Sequence, residues 1–230
     1  GTLTAVIGPS GAGKSTFARL VAGLTHPTSG KVTFEGHDIH AEYASLRSRI
    51  GMVPQDDVVH GQLTVHQALM YAAELRLPPD TTRADREQVV AEVLEELEMI
   101  QQADTRVDKL SGGQRKRVGL AQVLIRDPKI LLMDEPFGPL DAQTRQIMGN
   151  LLLDLWSADR KAVLFVTHDL EEAIALSDRV VIMSAGPAAR IIGDWRVPLA
   201  RPRDISEVKL DKSFHDLHRE IWTVLKDEGL

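Results

Sequence analysis

Three short runs carry chemistry by residue type and spacing. Gly8-Pro-Ser-Gly-Ala-Gly-Lys14-Ser15 has the form Gly-x-x-x-x-Gly-Lys-Ser, follows an apolar run and opens a helical pattern reaching to about Gly23. In that setting Gly8, Ser10, Gly11, Ala12 and Gly13 let backbone N–H groups curl around a β-phosphate. Lys14 supplies positive charge to the β- and γ-phosphates, the Ser15 hydroxyl ligates Mg²⁺, and Thr16 adds a bond to the α-phosphate. Residues 129–135 form an apolar run ending in two carboxylates, which a strand would present at its C-terminal edge. There Asp134 is suited to hold Mg²⁺ through water, and Glu135 to orient, or take a proton from, water attacking the γ-phosphate. Between these runs lies Leu-Ser-Gly-Gly-Gln, residues 110–114. Ser111, Gly112, Gly113 and Gln114 at the start of a helix make a second anion site, because the first-turn N–H groups have no partner within the helix.

Two more side chains join by position. Gln55 follows the apolar run 50–53 and can offer its carbonyl to Mg²⁺ or to the attacking water. His168 ends the run 163–167 and can donate a hydrogen bond to a γ-phosphate. The remaining histidines, including His37, His40, His60, His66, His215 and His218, lack metal-ligand spacing, so no zinc site is expected.

The elements that must position these residues alternate. Buried strands are predicted at 3–7, 50–53, 130–133, 163–167 and 180–183, separated by helical periodicity, which implies a mostly parallel sheet covered by helices. Residues 31–34, with a turn at Glu35-Gly36, and 190–193 read as more exposed strands that pair in a small antiparallel edge sheet. Strand signals vanish between about 64 and 125. There Val65, Leu69 and Ala72 share one helical face, and Val90, Val93, Leu94 and Leu97 another, beyond the Pro78-Pro79 break. The expected organisation is one domain, 1–230: an α/β core at 1–60 and 126–200, an inserted helical lobe at 61–125, and an extension at 201–230. The extension's helix over 213–226 is capped by Asp211 or Ser213.

The 230 residues suffice for one large α/β domain. A formal charge of −6 and no long Lys/Arg block argue against a nucleic-acid grip. The absence of cysteine excludes disulfides and thiolate chemistry, which fits a cytosolic location. No apolar stretch approaches the roughly 18 to 20 residues needed to cross a bilayer, so a membrane role would act through a partner rather than by direct insertion.

Phosphate loop, Gln55, Ser111 to Gln114, Asp134-Glu135, Asp141 and His168, in this order, resemble the nucleotide-binding domain of ATP-binding cassette (ABC) transporters over nearly the whole chain. The resemblance implies a P-loop fold of ABC type and ATP with Mg²⁺ as ligands. It implies a head-to-tail dimer in which Ser111, Gly112, Gly113, Gln114 and Asp141 of one subunit reach the ATP of the other. It further implies hydrolysis that drives permease subunits, with the chain peripheral on the cytoplasmic face of the plasma membrane. Residues 138–141, Gly-Pro-Leu-Asp, stand where the family has its D-loop, with Pro139 in place of the usual small residue.

The two halves resemble different subfamilies. Pro54-Gln-Asp-Asp57, Leu63-Thr-Val65 and the basic run to Arg117 look like exporters of the ABC-G type, including those with forkhead-associated domains. Asp134-Glu-Pro-Phe-Gly138, Val166-Thr-His-Asp-Leu-Glu-Glu-Ala173 and the tail 201–222 look like importer ATPases for nitrate, taurine or sulfonates. A chimera joined near Arg117 or Val118 is one expectation. The chain also starts directly on the strand before the phosphate loop, whereas family members carry earlier antiparallel strands and an aromatic residue that stacks on adenine. Weak ATP affinity with little base preference is therefore expected, together with an exposed edge at 31–34. The competing readings are a soluble, non-transport ABC ATPase and a truncated or engineered domain that binds nucleotide without turnover.

Overall fold

The structure is a computed structural model that describes residues 1–56 and 58–228. Asp57, the last residue of the run 54–57, lies outside the described residues. The strands are β1 (Leu3–Ile7), β2 (Thr33–Phe34), β3 (His37–Asp38), β4 (Ile50–Val53), β5 (Ile130–Asp134), β6 (Ala162–Val166), β7 (Arg179–Met183) and β8 (Ile191–Arg196). The helices are α1 (Lys14–Val21), α2 (Tyr43–Leu46), α3 (Val65–Arg76), α4 (Arg83–Glu96), α5 (Gly112–Leu124), α6 (Ala142–Ala158), α7 (Leu170–Leu176), α8 (Ile205–Val208) and α9 (Lys212–Asp227).

The main sheet has the order β4-β5-β6-β1-β7-β8. Pairing is parallel from β4 to β7, and β8 closes the edge antiparallel to β7. Central β1 is apolar except for Thr4, because helices cover both faces of a parallel sheet: Leu3, Ala5, Val6 and Ile7 are all buried. Ala5 stands in register with Phe165 on one side and Val180 on the other.

One expectation is corrected here. The segment around residues 190–193 does not join the one at 31–34; it belongs to β8 in the main sheet, where Val181 faces Asp194. The neighbouring Arg179 guanidinium donates to both carboxylate oxygens of Asp194 at 2.7 and 2.6 Å and fixes that register. Residues 33–34 pair with β3 in a separate two-stranded hairpin, turning on Glu35 and Gly36 with φ of 53° and 86°.

Between β4 and β5 the chain is helical. Val65, Leu69 and Ala72 of α3 meet Val90, Val93 and Leu94 of α4, all buried, and α5 leads back under the sheet through Val118, Leu120 and Val123. Beyond β8, Arg203 is buried and donates to the carbonyls of Ser177 and Leu199 at 2.7 and 2.8 Å, tying the tail to the end of α7. Helix α9 buries Phe214, Leu217, Ile221 and Leu225 against α7. Its cap is Asp211, whose carboxylate accepts from the Ser213 N–H at 2.6 Å.

Candidate active site

Adjacent parallel strands deliver the chemical groups to one edge of the sheet. The phosphate loop follows β1, Gln55 follows β4, Asp134 ends β5 with Glu135 next, and His168 follows β6. Gly8 is forced: a Cβ there would lie 2.5 Å from the Met183 carbonyl oxygen. Gly13 starts α1 with a φ of 84°, and no side chain caps that helix. Helices α3 to α9 are each capped by a Thr, Ser or Asp side chain. The first-turn N–H groups of α1 thus remain free of side-chain acceptors and available to an anion.

Lys14 is buried, and its ammonium donates to the carbonyls of Gly8 and Pro9 at 2.9 and 3.0 Å. Burial lowers its pKa, while the charges of Glu135 and Asp134 pull it back up. Ser10, Ser15 and Thr16 are exposed along the loop and the first turn, and Ala12 is buried beneath them. The Ser15 hydroxyl donates to Asp134 Oδ1 at 3.0 Å. Burial pushes the Asp134 carboxyl up against the opposing Ser15 bond, so a nearby cation would favour its ionised form.

Glu135 adopts the left-handed region, with φ of 44°, and its N–H donates to the Val166 carbonyl at 2.9 Å. That turn swings the side chain off the strand. Its Oε2 then receives the Gln55 amide at 3.4 Å and faces His168 Nδ1 at 3.2 Å. The three residues singled out as catalytic from sequence therefore converge on one carboxylate oxygen.

The oxygen donors Ser15, Asp134 and Gln55 suit a hard divalent cation. Among the described residues no group of three or more His, Asp or Glu side chains gathers as an all-protein metal cage. A small ion such as Mg²⁺ fits this donor set, since it binds through one or two protein oxygens together with phosphates and water.

Ser111 forms a capping box on α5: its hydroxyl accepts from the Gln114 N–H at 3.3 Å and Gln114 Oε1 accepts from the Ser111 N–H at 3.0 Å. Ser111 is exposed, while a Cβ at Gly112 would sit 3.3 Å from Leu140 and one at Gly113 would sit 2.7 Å from Thr144. Asp141 caps α6, accepting from the Thr144 N–H at 3.0 Å and hydroxyl at 2.6 Å. Gly112 and Gly113 let the start of α5 pack on Leu140 of the 138–141 loop and on Thr144 of α6.

Sequence reasoning missed Lys116. It is buried, and its ammonium donates to the Gln55 backbone carbonyl at 2.7 Å, linking α5 to the loop after β4. A signal existed: Lys116 shares the buried stripe of Gly113 and Leu120. A second feature concerns the tail. Glu228 accepts from the Ala185 N–H at 3.2 Å, and a Cβ on the adjacent Gly186 would come within 3.2 Å of the Gly11 carbonyl. The loop after β7 therefore lies directly against the phosphate loop, held from behind by the end of α9.

Residues 1–138 match the family model described as ABC transporter. The chain belongs to the ABC transporter ATP-binding family. This ABC domain is 66% identical over 194 residues to the ABC transporter ATP-binding/permease protein Rv1747 of Mycobacterium tuberculosis, covering 84% of this chain and 22% of that protein's length. It is 40% identical over 222 residues to the taurine import ATP-binding protein TauB of Pseudomonas entomophila, covering 95% of this chain and 83% of the relative. Alignments of such length in a chain of 230 residues run across residues 117 and 118, where the change of subfamily resemblance falls. Among solved structures, cbiO1 of Clostridium perfringens, part of the ABC transporter complex cbiONQ, matches with a TM-score of 0.77 and 25% identity over 100% of this chain and 88% of its own. The dimeric ATP-binding cassette MJ0796, bound to ADP and Pi, matches with a TM-score of 0.74 and 27% identity over 86% and 87%. No helix among the described residues is long and apolar enough to cross a membrane.

Proposed function

We propose that this ABC domain, acting as one unit over 1–230 with its helical lobe at 61–125, hydrolyses ATP at the interface of a head-to-tail dimer and so drives a membrane permease from the cytoplasmic face. The observation that carries the reading is the convergence of Gln55 and His168 on Glu135 Oε2, beside a phosphate loop whose helix is uncapped. Lys14 and the N–H groups of α1 bind the phosphates, and Ser15 with Asp134, through water, would hold Mg²⁺, assisted by the Gln55 side-chain carbonyl. When bound, that ion neutralises charge on the phosphate oxygens. Glu135 orients a water against the γ-phosphorus. As the new P–O bond forms and the bond to the bridging oxygen of ADP breaks, the proton of that water passes to Glu135 and His168 donates to the γ-phosphate. The exposed Ser111 turn, with Gly112, Gly113, Gln114 and Asp141, closes over the nucleotide of the partner copy.

A groove of about 620 Å³ between α3 and the segment 58–63 supports the permease part. Val58, Tyr71 and Leu75 on its walls are large apolar side chains exposed by 73%, 55% and 85%. An amphipathic segment of the membrane partner would cover them, and motion of the loop carrying Gln55 would pass between partner and site.

Steady-state ATP hydrolysis, followed together with dimerisation by light scattering, tests the reading. Glu135→Gln is expected to lower turnover by at least about 100-fold and to accumulate a dimer with ATP. Equal turnover in both forms would remove Glu135 from the chemistry, and wild-type binding without turnover would reduce the chain to a nucleotide-binding module.

A further inference from the structure

His168 sits between two residues that are both held from behind. Thr167 is buried, and its hydroxyl donates to Glu172 Oε2 while accepting from the Asp169 N–H at 3.1 Å. Asp169 caps α7 by accepting from the Glu172 N–H at 3.1 Å, and its second oxygen receives the Arg145 guanidinium at 3.1 Å. Arg145 in turn donates to the Leu140 carbonyl at 3.1 Å. Leu140 is the residue against which Gly112 packs, so the path runs from the start of α5 to the flanks of His168. Two atoms on it are buried without a partner, Arg145 Nε and Glu172 Oε1. Such orphans mark an arrangement with unused bonding capacity.

We propose that Arg145, Asp169 and Glu172 are positioning residues that transmit the arrangement of the 138–141 loop to His168. The inference rests on the reading of His168 as a γ-phosphate ligand. When the 138–141 loop shifts, the Leu140 carbonyl moves with it. Arg145 then redistributes between that carbonyl and Asp169, and the backbone on either side of His168 follows. The charged groups acting on Glu172 are Asp169, Arg145 and His168. Burial chiefly, with Asp169 adding, pushes the Glu172 carboxyl up to about 7, against the Thr167 bond, Arg145 and His168. Near neutral pH it therefore alternates between a carboxylate that attracts Arg145 and a neutral acid that does not.

The test uses the full chain and the imidazole Cε1–H signal of His168, assigned with His168→Gln and titrated by NMR. The wild-type signal should register a step near pH 7, where Glu172 changes charge. Glu172→Gln should remove that step, and Arg145→Gln should displace the signal, with Arg145→Lys restoring it in part. ATP affinity, measured with a fluorescent ATP analogue, should stay within about twofold in all three, while turnover of Arg145→Gln falls about tenfold. A Glu172→Gln titration superimposable on wild type, or a His168 signal indifferent to Arg145→Gln in a folded chain, overturns the proposal. Should Arg145→Gln fail to fold, the Glu172→Gln titration decides alone. Loss of the proposed hydrolysis would leave these NMR outcomes unaffected, so the two readings fail separately.

Discussion

At the scale of single residues, the phosphate loop was legible because the chemistry proposed for it is local: Ser10 to Thr16 would act through successive backbone N–H groups and Lys14, and that spacing is visible in sequence. Glu135 was legible as a carboxylate after a strand. Its φ of 44°, which aims it at Gln55 and His168, was not, because nothing in the pair Asp134-Glu135 prescribes a left-handed backbone. Arg145, Lys116 and Glu172 were silent for a related reason: Arg145 and Lys116 reach residues at least 24 positions away, and Glu172 depends on burial that no local pattern shows. Burial has a measurable consequence at Glu172. Its folded pKa of about 7 exceeds the ordinary 4.5, so the folded chain binds the extra proton between those values. The contribution of Glu172 to stability is then greatest below 4.5 and declines as pH rises toward 7. Glu172→Gln should remove the decline, adding up to about 3 kcal/mol at pH 8 and little at pH 4.5, as read by urea denaturation at both.

At the scale of elements, the parallel strands and helices followed from apolar runs and periodicity, since burial on both faces or one stripe leaves a direct trace in sequence. The segment at 190–193 was mispaired because an exposed edge strand carries no register information beyond its cross-strand partners. The start of α5 combines a capping box with the proposed anion contact, and one substitution can separate the two. Its capping box needs an acceptor at position 111, whereas an anion needs the hydroxyl proton there. Ser111→Asp should keep the cap, with stability within about 0.5 kcal/mol of wild type by chemical denaturation. The same change should abolish ATP-dependent dimerisation by placing a negative charge against phosphate. Dimerisation persisting in Ser111→Asp would exclude this turn from the nucleotide interface. On α3, Leu75→Glu should leave isolated turnover unchanged and weaken association with a membrane partner, as measured by co-purification of the reconstituted pair; unchanged association would place the partner elsewhere.

At the scale of the whole molecule, the sheet sends four loops to a common edge, and the helical segment α3 to α5 touches that edge twice. One touch runs through Lys116 to the loop after β4, the other through Gly112 to Leu140 in the loop before α6. A rotation of that segment would therefore reach the Gln55 loop and the 138–141 loop together. This pairing of contacts could not be read from sequence, because residues 116 and 55, or 112 and 140, share no local pattern.

The bracing of the phosphate loop by the tail bears on how long that loop keeps its conformation. Gly186 leans on Gly11 and is steadied by Glu228 one hydrogen bond away, so fraying of the last turn of α9 propagates to the nucleotide cradle. Glu228→Ala should speed amide deuterium uptake at residues 8–13 while leaving β5 and β6 unaltered. The tail then sets a lifetime at the cradle without contributing an atom to it.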